Sequence, residues 1–117
     1  MKKLFTIDTS IFAASLLEKE DRHLEAKRII DNIISSDAII ILPYTVLIEL
    51  ISVIIRRTRS KELALKAESL LLKNLQIQFI GLDRERTIRI LALSKEVSLR
   101  SLDLILYYTS KEFNRLG

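Results

Sequence analysis

The apolar run at residues 38–42, Ala-Ile-Ile-Ile-Leu, constrains the fold more than any other segment of this sequence. Its residues do not alternate between apolar and polar, as they would in a strand with one face in water. A short, continuous run rich in β-branched residues is typical of a strand buried on both faces of a parallel sheet. Such a strand needs helices on each side. Pro43 follows directly and is expected in the first turn of the next helix.

The remaining periodicity places pairs of helices between short strands. Asp21 is expected to cap the second helix, Thr9 or Ser10 the first, and the third helix is expected to be largely buried. The order β-α-α-β-α-α-β-α-α favours one α/β domain over residues 1–117, with a parallel sheet and helices on its faces. Strands are predicted at residues 3–7, 38–42 and 75–80, and helices at residues 10–16, 22–34, 44–57, 61–73, 84–97 and 103–114.

Composition limits the kinds of site that the chain can build. It has no cysteine and one histidine, which excludes disulfides, thiolate metal sites and histidine-rich metal sites. A bound metal would need oxygen ligands, and Mg²⁺ or Mn²⁺ suits such ligands better than zinc. The apolar runs are too short to span a membrane, so we expect a soluble, cytoplasmic protein with no membrane partner.

The net charge of +4 is compatible with a nucleic-acid partner without being diagnostic of one. The positive charges are densest at Arg56, Arg57, Arg59 and Lys61. Such a patch can contact nucleic acid, but it is equally typical of a solvated helix end, where cations complement the helix dipole.

Asp8 lies at the carboxyl end of the first predicted strand, before Thr9 and Ser10. Ligands of open parallel sheets bind outside the carboxyl ends of the strands. Asp8 is therefore either a helix N-cap or a carboxylate that projects into a binding crevice.

Glu49 lies among apolar residues of the third predicted helix. A carboxylate in such surroundings is costly unless it is paired or binds a metal. Helical spacing puts Thr45, Ser52, Val53 and Arg56 on its face, so pairing with Arg56 or an exposed polar stripe are the alternatives to a functional role.

Asp103 precedes the apolar run of the last predicted helix, where a first-turn acid is also ordinary. Together, however, Asp8, Glu49 and Asp103 suit a cup for a divalent ion. Phosphodiester hydrolysis needs charge stabilisation and an activated water, and a carboxylate-bound divalent ion serves both needs. The three acids therefore indicate a metal-dependent phosphodiesterase site.

The segments 7–10, 48–50 and 99–103, which contain these acids, resemble the motifs of the PIN-domain family, and in particular those of VapC-type toxins from prokaryotic toxin–antitoxin pairs. The resemblance implies a three-layer α/β/α domain with a small parallel sheet. It also implies a Mg²⁺- or Mn²⁺-dependent endoribonuclease in which Asp8, Glu49 and Asp103 coordinate metal and Ser10 supports the first aspartate. RNA as substrate, a homodimer and an antitoxin protein are the implied partners.

The sequence departs from the family pattern after its last predicted helix. Family members continue into another strand and a fourth acid, whereas this sequence ends at residues 115–117, where that strand would begin. The domain is therefore expected to lack its last strand, and no residue matches the fourth acid. This departure leaves a second hypothesis, a catalytically degenerate PIN fold that binds RNA or protein, and a third, a structural assembly protein.

Overall fold

The computed structural model describes residues 3–114, and it confirms the predicted order of strands and helices. The strand predicted at residues 3–7 is shorter than expected, and the helix predicted to end at residue 97 ends at Ser94. The elements are β1 (Leu4–Phe5), α1 (Thr9–Leu16), α2 (His23–Ser35), β2 (Ile39–Pro43), α3 (Tyr44–Thr58), α4 (Lys61–Lys73), β3 (Ile77–Ile80), α5 (Arg84–Ser94) and α6 (Ser101–Asn114).

The three strands of the described chain form a parallel sheet in the order β1-β2-β3. Phe5 is in register with Ile40, and Ile40 is in register with Ile77 on the other side. The middle strand is buried from Ile40 to Pro43, which confirms the prediction of a strand covered on both faces. Because all strands run the same way, their carboxyl ends meet at one edge of the sheet.

The main core lies on one face of this sheet. Ile40 and Leu42 of β2 pack there with buried residues from α1, α2, α3 and α4. Ile41 points to the opposite face, as alternation along a strand requires, and α6 packs against β1 and β2. A second, smaller cluster between α5 and α6 contains Ile90, Leu104 and Ile105. Helices therefore cover a central strand from both sides, as expected.

The expectation that α3 is largely buried is wrong. Only Val46, Leu50 and Ile54 are buried, at helical spacing along one face, whereas Ile48 is 67% exposed. The helix packs with that single face against β2 and the neighbouring helices, so its other apolar residues extend around to the surface.

Two expected helix starts are also corrected. Pro43 is the last residue of β2 rather than part of α3, because its extended backbone stays in register with Ile80. Asp21 does not cap α2, which begins at His23 with Arg22 at the cap position and no side-chain cap bond. The backbone N–H of His23 donates to the carbonyl of Glu20 in the preceding turn, so this N–H does not need the side chain of Asp21 as an acceptor.

A polar network joins α5 to α6. Arg86 is only 9% exposed and forms an ion pair with Glu112, while its Nη2 donates to Thr109 Oγ1 at 3.0 Å. The guanidinium group also lies over the ring of Tyr108, 5.4 Å from its centroid. A buried arginine is stable only when it is paired in this way, so the network fixes the position of α6.

No helix within residues 3–114 is both long enough and apolar enough to cross a membrane. The place where a further strand was expected to begin, at residues 115–117, lies outside the described residues.

Leu50→Ala is expected to lower the free energy of unfolding by about 2–5 kcal/mol, because Leu50 is 1% exposed in the main core. Ile48→Ala, two residues earlier on the same helix, should change it by no more than about 0.5 kcal/mol. Urea denaturation of both variants measures the difference. Equal losses would show that the burial of α3 described above is wrong.

Candidate functional site

Asp8, rather than Thr9 or Ser10 as expected, occupies the cap position of α1, but its side chain does not cap the helix. Its backbone is extended, and its carboxylate accepts no hydrogen bond from a backbone N–H in the first turn of the helix. Instead Oδ2 accepts a hydrogen bond of 2.9 Å from Ser10 Oγ, at the surface. The carboxylate is therefore held at the edge where β1 ends and remains open to solvent.

Glu49 lies in the middle of α3 and is half-buried. It shares a cavity wall with Thr45, Ser52, Val53 and Arg56, as its helical face predicted. The alternative of an ion pair with Arg56 is not found within residues 3–114. Arg56 Nε donates instead to the carbonyl of Ser52 at 3.4 Å. The cost of placing a carboxylate here thus has no compensating ion pair among the described residues.

Asp103 is the third residue of α6 and lies in its first turn, with an exposed side chain. The helix packs against β1, β2 and α3. This packing brings the start of α6, and Asp103 with it, to the sheet edge where β1 and β2 end.

All three predicted acids line one cavity of about 650 Å³, the first cavity. Asp8 comes from the end of β1, Glu49 from α3 and Asp103 from α6, so residues far apart in sequence meet on one wall. In the described part of the chain, no three acid or histidine side chains are gathered closely enough to hold one metal ion as they stand. The three acids line the same cavity, but their side chains do not converge on one position that a metal ion could occupy.

The donor chemistry of the first cavity suits a hard divalent cation. Carboxylate oxygens of Asp8, Glu49 and Asp103 and the hydroxyl of Ser10 lie on its wall. Mg²⁺ and Mn²⁺ prefer oxygen donors, and Mg²⁺ commonly keeps several waters beside one or two protein carboxylates. The single histidine is used elsewhere, since His23 Nδ1 is 2.7 Å from the carbonyl oxygen of Ala14. The types of donor present therefore match such an ion, although the acids are not gathered closely enough to hold one as they stand.

A second cavity of about 620 Å³ adjoins the first and shares Glu49, Val53 and Asp103 with it. It extends between α3 and the start of α6, where Arg56 and Arg100 line its wall. Glu49 and Asp103 thus lie where two cavities with different linings meet, whereas Asp8 lines the first cavity alone.

Two residues of the basic patch at the end of α3 line different cavities, whereas Arg59 and Lys61 line neither. Arg57 lines the first cavity, where it forms an ion pair with Glu20, whereas Arg56 lines the second. The charge pattern of the sequence does not predict this division. It also assigns no role to Arg100, although a position three residues before Asp103, directly before a helix, is a usable signal. Thr45 Oγ1 is buried without a hydrogen-bond partner in residues 3–114.

Comparison with known proteins points to one family. The model of the PIN domain family matches residues 5–115. The structure is similar to the crystal structure of VapC20 from Mycobacterium tuberculosis, described as a toxin that cleaves the sarcin–ricin loop, with a TM-score of 0.72 and 21% sequence identity. The match covers 96% of this chain and 84% of that one. A search of curated proteins gave no match.

Proposed function

This chain belongs to the PIN domain family, and on that premise we propose that it is a metal-dependent endoribonuclease, the toxin of a toxin–antitoxin pair, acting in the cytoplasm. The observation that carries the proposal is the arrival of Asp8, Glu49 and Asp103 on the wall of one cavity. The similarity to a toxin described as cleaving the sarcin–ricin loop supports RNA as the substrate class.

In this proposal Asp8, Glu49 and Asp103 hold Mg²⁺ or Mn²⁺. A bound divalent ion supplies the positive charge and Lewis acidity that hydrolysis of a phosphodiester requires. The chain's own part is to provide charged oxygen ligands at an open sheet edge that an RNA strand can reach. Asp8 and Asp103 are exposed there, and Glu49 is half-buried beside them.

Ser10 is proposed to position Asp8. Its hydroxyl donates to Oδ2 of the carboxylate, which fixes one oxygen and leaves the other to face a ligand. Groups that orient a metal ligand in this way commonly contribute about 10–100-fold to metal affinity or activity. Ser10 acts through Asp8 and is a positioning residue.

The proposal includes a homodimer and an antitoxin protein as partners. The family resemblance implies both, and exposed apolar residues of α5, Ile88 and Leu91, are available for protein contact.

Mn²⁺ is expected to stabilise the wild-type protein against heat, because an ion that binds only the folded state stabilises it. At 100 times Kd the gain is about 2.7 kcal/mol, which raises Tm by about 10 °C in a domain of this size. Asp8→Asn, Glu49→Gln and Asp103→Asn should each remove most of the shift. Asp31→Asn is the matched control, since Asp31 pairs with Lys27 on the surface of α2. An equal shift in all five proteins would contradict the assignment of the ligands.

Metal-dependent cleavage of RNA is expected from the wild type and is lost on adding EDTA. Asp8→Asn and Glu49→Gln should lower the cleavage rate at least about 100-fold, because each removes a charged ligand needed in the transition state. Ser10→Ala should lower it by about tenfold. Gel assays on labelled RNA give the rates, and circular dichroism verifies that each variant is folded. Wild-type rates in both acid variants would refute the proposal.

The alternative is a PIN fold that binds RNA or protein without turnover. The spacing of the acids favours it, since within residues 3–114 no three acid or histidine side chains are gathered closely enough to hold one metal ion. Retention of RNA by the wild type, with no cleavage over a wide range of Mn²⁺ concentrations, would support this alternative over the nuclease.

A further inference from the structure

We propose that the second cavity binds single-stranded RNA beside the cleaved bond, with Arg56 and Arg100 contacting its phosphates. The inference rests on the proposed function, because it names the surface that holds the substrate of that site. Its starting point is the position of the cavity: it shares Glu49 and Asp103 with the first cavity and runs away from them between α3 and α6.

The two arginines of this cavity carry unneutralised charge. Elsewhere on the described surface, Arg57 is paired with Glu20 and Arg89 with Glu85, whereas exposed arginines outside both cavities, such as Arg28, form no ion pair within residues 3–114. Neither Arg56 nor Arg100 forms an ion pair within residues 3–114. The bond from Arg56 Nε to the backbone of Ser52 anchors that guanidinium to α3, and its terminal nitrogens make no hydrogen bond there.

These free guanidinium groups suit phosphates. Arginine presents several N–H donors in a planar fork that matches the oxygens of a phosphate. The second cavity shares two acids, Glu49 and Asp103, with the first. Its other charged residues are two arginines, and it has no further acid on its wall. With the shared acids counted, its lining is formally neutral, so a phosphate that enters it meets less repulsion than in the first cavity.

The lining of the first cavity, in contrast, has a net negative charge. Besides the three proposed metal ligands it is lined by Glu20, Asp21 and Glu25, against Arg22 and Arg57. Since Glu20 already neutralises Arg57, the remaining side chains leave an excess of negative charge that repels a phosphate backbone. An RNA strand that extends from the acids therefore meets less electrostatic repulsion along the second cavity than along the first.

The apolar part of the second cavity indicates a single strand rather than a duplex. Ile48 and Leu102 line it and are 67% and 40% exposed, next to the arginines. Unstacked bases expose apolar faces that such aliphatic side chains can cover while arginine contacts the phosphates. In an A-form duplex the bases are stacked and paired inside, so this surface would gain nothing from them.

The test is the affinity for a fluorescently labelled single-stranded RNA oligonucleotide, measured by anisotropy in EDTA so that no cleavage occurs. Arg56→Gln and Arg100→Gln should each weaken binding by about tenfold. Each should also reduce the slope of log K against log salt concentration by about 0.7, the value for one phosphate contact on a single strand. The double variant should lose both contributions.

Two further arginine variants are the matched controls. Arg57→Gln changes the neighbouring residue of the same helix, which lines the first cavity and is paired with Glu20. Arg28→Gln changes an exposed arginine on α2, outside both cavities. Both should bind the RNA within about twofold of the wild type with an unchanged salt slope, since neither removes a phosphate contact. Unlabelled duplex RNA should compete less well than single-stranded RNA of the same length.

The outcomes separate this inference from the proposed function. If Arg56→Gln and Arg100→Gln bind as the controls do, the inference is overturned, even where the wild type cleaves RNA and Asp8→Asn does not. If both variants lose affinity and salt dependence while the wild type cleaves nothing with Mn²⁺, the binding surface stands and the nuclease proposal fails. Equal losses in all four arginine variants would indicate attraction by net charge alone and would also overturn it.

Discussion

The parallel pairing of β1 with β2 is the constraint on which the site depends. The pairing is short, with Leu4 opposite Ile39 and Phe5 opposite Ile40, yet it fixes the direction of both strands. Because they run the same way, Asp8 beyond β1 and α3 beyond β2 emerge at the same edge of the sheet. An antiparallel pair would have sent them to opposite edges. The packing of α6 on both strands then brings Asp103 to that edge as well.

Much of this architecture is predictable because it depends on local pattern. The helix Lys61–Lys73 has the bounds predicted for it, since its apolar residues recur at helical spacing and Ser60 accepts a hydrogen bond from the backbone N–H of Leu63. The buried strand β2 is equally predictable, because its run of β-branched residues is typical of a strand covered on both faces. Periodicity also put Thr45 and Ser52 on the face of Glu49.

What sequence could not supply depends on contacts between distant segments. The ion pair that joins Arg86 to Glu112 spans 26 residues, and neither residue stands out in its own helix. The exposure of Ile48 depends on how much of the surface of α3 is covered by the helices and the strand that pack against α3. Because Arg56 and Arg57 are adjacent in sequence, the charge pattern places them in one basic patch. Adjacent residues on a helix point about 100° apart, so one faces each cavity.

That division of charge addresses a conflict inherent in any carboxylate site for a polyanion. Acids that attract a divalent ion also repel phosphate, and two unit charges 4 Å apart interact by about 1 kcal/mol even in bulk water. In the proposed site, one divalent ion would neutralise two of the three negative charges on Asp8, Glu49 and Asp103, so it would not by itself make the site attractive to RNA. Fixed positive charge must come from the protein, close to the acids but not paired with them. Among the described residues lining the second cavity, Arg56 and Arg100 meet that requirement. An RNA strand held there would lie on the side of the acids where the protein's own charge favours it.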